Sequence, residues 1–313
     1  MTNRALITGC DGFIGSHLAE FLVGQALEVH GMVFHDTKFI DHLGKNINLH
    51  RCDITEKDKV SAIVTEVKPD YIFHLAAQSL ISDSWRNPEL TFRINTIGTL
   101  NLLEAARVAR IDPLIEIVGS SDEYASPSAQ NIRIKESAAL NPSSPYGISK
   151  LAADMLGHVY SQTYGMKVIC VRPFSIIGPR KTGDACSEFT QGIVEIESGK
   201  KSKLGVGNLE AIRDFLDVKD AVKAMWLLAE RGKPGEAYNV CSGKGTTIQE
   251  ILDKMISMSS HRIIYEQVLE RTRLTDKLSL IGDCSKLQSL GWRPSILLEK
   301  TLSDILEYWR ALN

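Results

Sequence analysis

The stretch "LITGCDGFIGSHLAE" sets Gly9, Gly12 and Gly15 between a short apolar run and an amphipathic segment. The first glycine permits a tight turn, the second lets a ligand approach the backbone, and the third lets helix and strand pack closely. Ahead of it, "RALIT" (4–8) has the length and residue types of a buried strand, and 12–24 has helical character. A helix starting at this point offers unpaired N–H groups and the positive end of its dipole to an anion. The pattern predicts a βα turn that binds a dinucleotide pyrophosphate, with Phe13 and Ile14 inside it.

Further apolar runs follow at 27–33, 47–51, 71–76, 114–120 and 167–172, separated by helical segments at 56–67, 89–110 and 146–164. Strand–helix alternation of this kind implies a parallel sheet covered on both faces, a doubly wound α/β fold. Beyond residue 173 the pattern loosens into turn-rich stretches. We expect a Rossmann domain over 1–172 and a smaller α/β substrate lobe over 173–313, with some chain crossing back. Thr247 and Glu250 form a capping box that opens a helix at 248–258, and a last helix is expected at 296–311.

A net charge of −2 gives no electrostatic case for nucleic acid or an anionic membrane. No apolar run approaches the roughly 20 residues that span a bilayer, and the opening "MTNRALITGC" lacks a signal-peptide apolar region. Cys10, Cys52, Cys170, Cys186, Cys241 and Cys284 are scattered without a Cys-x-x-Cys pair. They read as buried thiols in a reducing compartment, so neither zinc nor disulfides are expected and the location is cytoplasmic.

"SSPYGISK" (143–150) places Tyr146 and Lys150 four apart, on one face of a helix. A tyrosine with an unperturbed pKa near 10 is a poor base at neutral pH, so proton transfer requires a positioned cation. With the Gly-x-x-Gly-x-x-Gly spacing, this pair resembles the extended short-chain dehydrogenase/reductase family over nearly the whole chain. The resemblance implies that Tyr146 exchanges a proton with a substrate oxygen while Lys150 lowers its pKa and holds the nicotinamide ribose. "VGSSDEYASP" (118–127) then supplies Ser120 as the hydroxyl on the reacting oxygen, with Ser121 and Asp122 beside it. Ala125 stands where the family has the glycine of Tyr-Gly. Asp53 and Ile54 fall where relatives hold the adenine, and Leu75, Ala76 and Ala77 of "HLAAQS" lie along the cofactor. Asn95 opens the family landmark "NTIGTLN". NAD-binding relatives carry an acid at the end of the second strand. Val33 stands there instead, followed by Phe34, His35, Asp36 and Lys38, so NADP is expected, with NAD possible if Asp36 takes that place.

The segment 203–230 resembles the substrate lobe of GDP-mannose-modifying members. There Gly-Asn-x-x-x-x-Arg-Asp-(Phe/Trp) contributes an arginine to the sugar-nucleotide diphosphate, which makes Arg213 and Asn208 substrate ligands. A planar guanidinium suits that bidentate contact. Arg273 would be a second phosphate ligand, Leu274 and Asp276 replace a family proline and glutamate, and Gln78, Ser175 and Arg180 complete the expected set. Relatives that dehydrate a sugar nucleotide use a glutamate at position 122 to take the C5 proton. Asp122 is one methylene short, which argues for a ketone reductase. The implied reaction is NAD(P)H-dependent reduction of the C4 ketone of GDP-6-deoxy-4-keto-D-mannose to GDP-D-rhamnose. GDP-mannose 4,6-dehydration, UDP-sugar epimerisation and a non-enzymatic NADP-sensing regulator stand as alternatives. Apolar residues beyond one face of 89–110 and 146–164, among them Leu100, Leu102, Leu103, Met155, Leu156 and Val159, predict a homodimer through those helices.

Overall fold

The computed structural model describes residues 2–34, 36–126, 132–268 and 279–313. The elements run β1 (Arg4–Thr8), α1 (Phe13–Gly24), β2 (Glu28–Val33), β3 (Ile47–Arg51), α2 (Lys57–Val67), β4 (Tyr71–His74), α3 (Ile81–Arg86), α4 (Pro88–Phe92), α5 (Gly98–Val108) and β5 (Leu114–Val118). Next come β6 (Arg133–Ile134), α6 (Pro145–Tyr164), β7 (Lys167–Pro173), β8 (Ser175–Ile177), α7 (Ala185–Glu197), β9 (Leu204–Val206), β10 (Ile212–Asp217) and α8 (Val218–Arg231). The chain closes with β11 (Ala237–Val240), β12 (Gly245–Thr247), α9 (Ile248–Ser257), β13 (Tyr265–Gln267), β14 (Ser279–Gly282), α10 (Ser285–Ser289) and α11 (Leu298–Ala311).

The expected parallel sheet is present, in the order β11-β7-β5-β4-β1-β2-β3. Its inner strands are buried on both faces, while the edge strand β3 leaves Leu49 exposed. One side packs Ala5, Ile7 and Phe73 with Leu18 of α1 and Met225 of α8. The other packs Leu6, Ile72 and Ile115 with Val64 of α2, Leu102 of α5 and Ala153 of α6. Strand order reverses between β1 and β4, the switch point where open α/β sheets bind ligands at the carboxyl ends of their strands. β11 crosses back from the C-terminal half to pair with β7. The remainder forms a sheet in which β10 lies between antiparallel β12 and parallel β14, with β8 also on β10. Beneath it Phe189, Ile193, Ile251, Leu252, Leu302 and Ile305 make a separate core.

Several boundaries differ from the sequence reading. β4 ends at His74 and β5 at Val118: Leu75 and Gly119 each keep one more bond, to Thr8 and Val171, and the next N–H groups, of Ala76 and Ser120, turn to the side chains of Thr8 and Glu123. The segment 89–110 is α4 and α5 joined by a π-helical turn, Arg93–Ile97. The last helix starts at Leu298, since the Asp220 carboxylate takes the N–H groups of Ser295 and Ile296 and holds them outside it. The Thr247–Glu250 capping box forms as expected. All six cysteines are free and buried. Among the described residues no helix is long and apolar enough to cross a membrane.

The apolar residues of α5 and α6 divide into two groups. Leu102 and Leu103 are buried within the chain's own core, and Leu100 and Leu156 pack against it, so none of these four is an open contact. Ile97, Ile148, Met155 and Val159 are 40–51% exposed and belong to the outer surface.

Glu116 is a local conflict inside β5. It lies in register between Phe73 and Ile169, is fully buried, and neither carboxyl oxygen has a hydrogen-bond partner among the described residues. Burial holds its pKa well above the usual carboxylate range. Below pH about 4 both folded and unfolded chains carry this proton, and the site adds no pH-dependent cost. As pH rises the unfolded chain alone releases it, so stability falls by about 1.4 kcal/mol per pH unit until the folded pKa is reached. Glu116→Met should therefore raise the melting temperature more at pH 8 than at pH 5. Equal destabilisation at both pH values would contradict this account.

Candidate active site

α6 starts where its sequence requires. The Ser144 side chain accepts the Gly147 N–H at 3.0 Å and Pro145 fills the first helical position. Tyr146 and Lys150 thereby sit one turn apart facing the sheet, only 9% and 6% exposed. Gly147 lets this turn come close to the residues after β5, since a Cβ there would stand 2.9 Å from the Asp122 carbonyl oxygen. The approach sets the Ser120 turn beside the first turn of α6, near enough for the Ser120 hydroxyl to act on the Tyr146 phenol. Lys150 Nζ donates to the Val118 carbonyl at 2.8 Å, at the very end of β5.

Burial pushes the Tyr146 phenol above its ordinary pKa, and the Asp122 charge adds to this, while the Ser120 hydrogen bond opposes it. Lys150 is pulled down to about 8 by burial. The site thus holds a protonated phenol beside a cation that is readily discharged.

Ser120 caps a single 3₁₀ turn, Ser121–Glu123. Its hydroxyl accepts the Asp122 N–H at 3.1 Å and lies 3.5 Å from the Asp122 carboxylate. Ser121 is buried in the same turn. Glu123, the last residue of this turn, points away into the interior.

Two residues outside the expected set hold the site together. Asn95, on the π-helical turn, accepts the Gln78 N–H at 2.8 Å and donates to the Gln78 carbonyl at 3.0 Å and to Ser149 Oγ at 2.9 Å. Ser149 in turn donates to the Tyr146 carbonyl at 2.7 Å. π-Helical turns are frequent at functional sites. His74 bridges Thr8 at 2.8 Å and Thr99 at 2.9 Å, and burial, with Lys150 nearby, lowers its pKa to about 3. It is a neutral structural link. Both lie in segments the sequence singled out, but a sequence does not show which of their atoms meet.

The glycine turn has the geometry expected for a phosphate cradle. Gly9 adopts φ +67°, and a Cβ there would stand 2.8 Å from the Ala76 N atom, so the turns after β1 and β4 touch. At Gly15 a Cβ would come within 2.2 Å of the Gly9 carbonyl oxygen. Gly12 is exposed at the N-cap of α1, where no side chain caps the helix and its first turn carries no acid. Free N–H groups at such an end suit a pyrophosphate. Phe13, Ile14, Leu75, Ala76 and Ala77 are half-buried around the crevice, and Asp53 closes a turn at the end of β3. Ile54 departs from the expectation. Its side chain is buried against Gly98 and its carbonyl accepts from Asn101, so it packs α5 rather than lining the crevice. At the end of β2, Val33 is buried and Phe34 is exposed, while Asp36 accepts the Lys38 N–H and faces its ammonium.

The expected substrate residues separate into distinct groups. Ser175 pairs with Phe215, two residues from Arg213 on β10. A side-chain period of two places Ser175 and Arg213 on one face of the smaller sheet, about 7 Å apart along the strand. Asn208 closes a turn by accepting the Glu210 N–H at 3.0 Å. Gln78 donates its side-chain amide to the Leu80 carbonyl at 2.8 Å. Arg180 requires correction. Its guanidinium is held by Ser16 at 3.1 Å and Glu20 at 2.5 Å, so it clamps α1 instead of opening toward the substrate side. Arg273 and Asp276 lie outside the described residues, as does His35.

Residues 6–305 match the model of the family described as GDP-mannose 4,6 dehydratase. The chain belongs to this family. It is 31% identical over 314 residues to the GDP-6-deoxy-D-mannose reductase of Pseudomonas aeruginosa, covering 99% of this chain and 98% of that one. It is 33% identical over 324 residues to GDP-mannose 4,6 dehydratase 2 of Arabidopsis thaliana, covering 97% and 86% respectively. The solved structure of RMD from Pseudomonas aeruginosa complexed with NADPH aligns over 100% of both chains, with a TM-score of 0.86 and 30% identity. A Thermus thermophilus UDP-glucose 4-epimerase complex with NAD aligns over 99% of this chain and 100% of that one, with a TM-score of 0.90 and 26% identity. The resemblance read from the motifs is borne out at the level of family and fold, and family members of two different named activities match at similar identity.

The glycine turn yields a paired test. Gly15→Ala should lower the melting temperature by several degrees, because backbone must move to admit its Cβ. Gly24→Ala, in the same helix with nothing within 4 Å, should leave it unchanged or slightly raised. Gly15→Ala proving as stable as Gly24→Ala would refute the close packing of this turn.

Proposed function

We propose that this chain reduces the C4 ketone of GDP-6-deoxy-4-keto-D-mannose to GDP-D-rhamnose, using NADPH. The observation that carries the reading is Ser120, Tyr146 and Lys150 gathered at the carboxyl end of β5, with Lys150 one helical turn beyond Tyr146 and its Nζ on the Val118 carbonyl, in a chain 31% identical along its length to a reductase of this substrate class. Bound NADPH supplies the hydride. The backbone of Gly9, Gly12 and Gly15 and the N-terminus of α1 would hold its pyrophosphate, with Asp53 on the adenosine side and Leu75–Ala77 along its length. The buried valine in place of an acid at the end of β2, and an Asp36 turned toward Lys38, support NADP over NAD.

Ser120 donates to the ketone oxygen and polarises it. As negative charge develops there, Tyr146 passes its proton to the same oxygen, and the Lys150 cation stabilises the phenolate left behind. A phenol kept protonated by burial is suited to an acid's role. Arg213 would take the diphosphate, with Ser175 on the same face. Ile97, Ile148, Met155 and Val159 would bury their exposed surface in a homodimer through α5 and α6.

GDP-mannose 4,6-dehydration is the second reading, because the Asp122 carboxylate faces Ser120 at 3.5 Å. Asp122 is a shortened form of the base that dehydration requires, and misplacing a reacting group by about 1 Å can cost roughly a hundredfold in rate.

With GDP-6-deoxy-4-keto-mannose the purified protein should oxidise NADPH stoichiometrically, followed by absorbance. Tyr146→Phe should lose at least about a hundredfold in kcat while still binding cofactor. Oxidation of neither NADPH nor NADH would sink the reductase reading and bring GDP-mannose forward as substrate. Lys150, at about 8, is discharged as pH rises, so kcat/KM should fall above pH 8. A profile flat from pH 7 to 10 would remove Lys150 from this role.

A further inference from the structure

Glu123 is fully buried directly behind the reactive edge, and no step above uses it. Its Oε1 accepts the Ser120 N–H at 2.7 Å, and its own N–H donates to the Ser120 carbonyl at 3.2 Å. These two bonds close the turn at Ser120 from both sides. The other oxygen, Oε2, stands 3.3 Å from Nε of Arg172, which donates to Asp154 Oδ2 at 2.7 Å. Asp154 lies on α6 one turn beyond Lys150, and Arg172 lies on β7.

The space for this carboxyl group exists because residue 119 has no side chain. A Cβ on Gly119 would be 2.3 Å from Oε1. Meanwhile Gly119 N–H donates to the Val171 carbonyl at 2.7 Å, so the backbone there is fixed to β7 as well. Arg172 also donates to Tyr124 Oη at 3.0 Å, and that phenol donates to Asn239 at 2.7 Å. One side chain thus joins the Ser120 turn to α6, β7 and the network reaching β11.

Two carboxyl groups share one guanidinium in a space closed to water. Burial and the adjacent Asp154 carboxylate push Glu123 well above the usual carboxylate range, which supports a neutral carboxyl facing Asp154. Neutral glutamic acid and glutamine have nearly the same shape. Each can accept the Ser120 N–H on one side and donate on the other.

We propose that Glu123 is a positioning residue that fixes the Ser120 backbone from behind and so aims Ser120 Oγ at Tyr146 and the substrate oxygen. The inference rests on the roles given above to Ser120 and Tyr146. It separates from simple packing because packing is served by any side chain that fills the space, whereas aiming requires the hydrogen bond.

The test compares Glu123→Gln with Glu123→Leu in steady-state kinetics. Glu123→Gln should keep kcat within about threefold of the parent protein. Glu123→Leu should lower kcat by about ten- to a hundredfold, with the KM values for NADPH and nucleotide sugar within about threefold. Exchange of the Ser120 amide hydrogen should be slow in the parent and in Glu123→Gln and fast in Glu123→Leu. Should Glu123→Leu fail to fold, Glu123→Gln still decides: a folded variant with kcat down tenfold or more overturns the proposal. A folded Glu123→Leu with parental kcat overturns it equally. A parent protein that leaves NADPH unoxidised fails the reductase reading instead. The same variants are then compared with GDP-mannose, where Ser120 and Tyr146 would act on the same C4 oxygen.

Discussion

At Gly147 the first turn of α6 passes so near the residues after β5 that a side chain would strike both the Asp122 backbone and Pro142. This approach sets the first turn of the helix, with Tyr146, beside the turn that carries Ser120. The arrangement is held from three directions. Lys150 reaches back to the end of β5, Asn95 ties Ser149 of α6 to the Gln78 loop, and the Arg172–Asp154 pair anchors the helix to β7. The pair is almost wholly buried, and removing one member of such a pair typically costs about 3–5 kcal/mol. The reactive edge is therefore rigid because backbones meet there, and the buried charges lock that meeting in place.

The cofactor side follows the same logic with different atoms. Gly9 and Gly15 allow β1, α1 and the turn after β4 to share one small volume. His74 joins two of these elements to α5 by neutral hydrogen bonds, which suits a position close to a buried lysine. The opening of α1 is left without a side-chain cap, so its N–H groups stay available. Stability is given up locally where a ligand can restore it.

The tyrosine and the lysine are matched by burial. Removal from water raises the cost of the phenolate and of the ammonium alike, so each is shifted toward its neutral form. Asp122 adds a negative charge to the same small volume.

The strands of the main sheet, the glycine turn and the Tyr146–Lys150 pair were legible because each depends on local spacing: period two, period 3.6, or glycine at a fixed offset. The family followed from those motifs. The sequence could not show that Ile54 turns inward against Gly98, that Arg180 is taken by Glu20, or that Leu102 and Leu103 belong to the core. These are contacts between segments far apart in the chain, and an apolar or charged residue type is compatible with either outcome. Glu123 shows the same limit: nothing in its local sequence names its partners, and only the folded chain brings Arg172 and Asp154 to meet it. Local backbone preference is written residue by residue, whereas the choice of partner for a buried polar group is made only when distant elements pack.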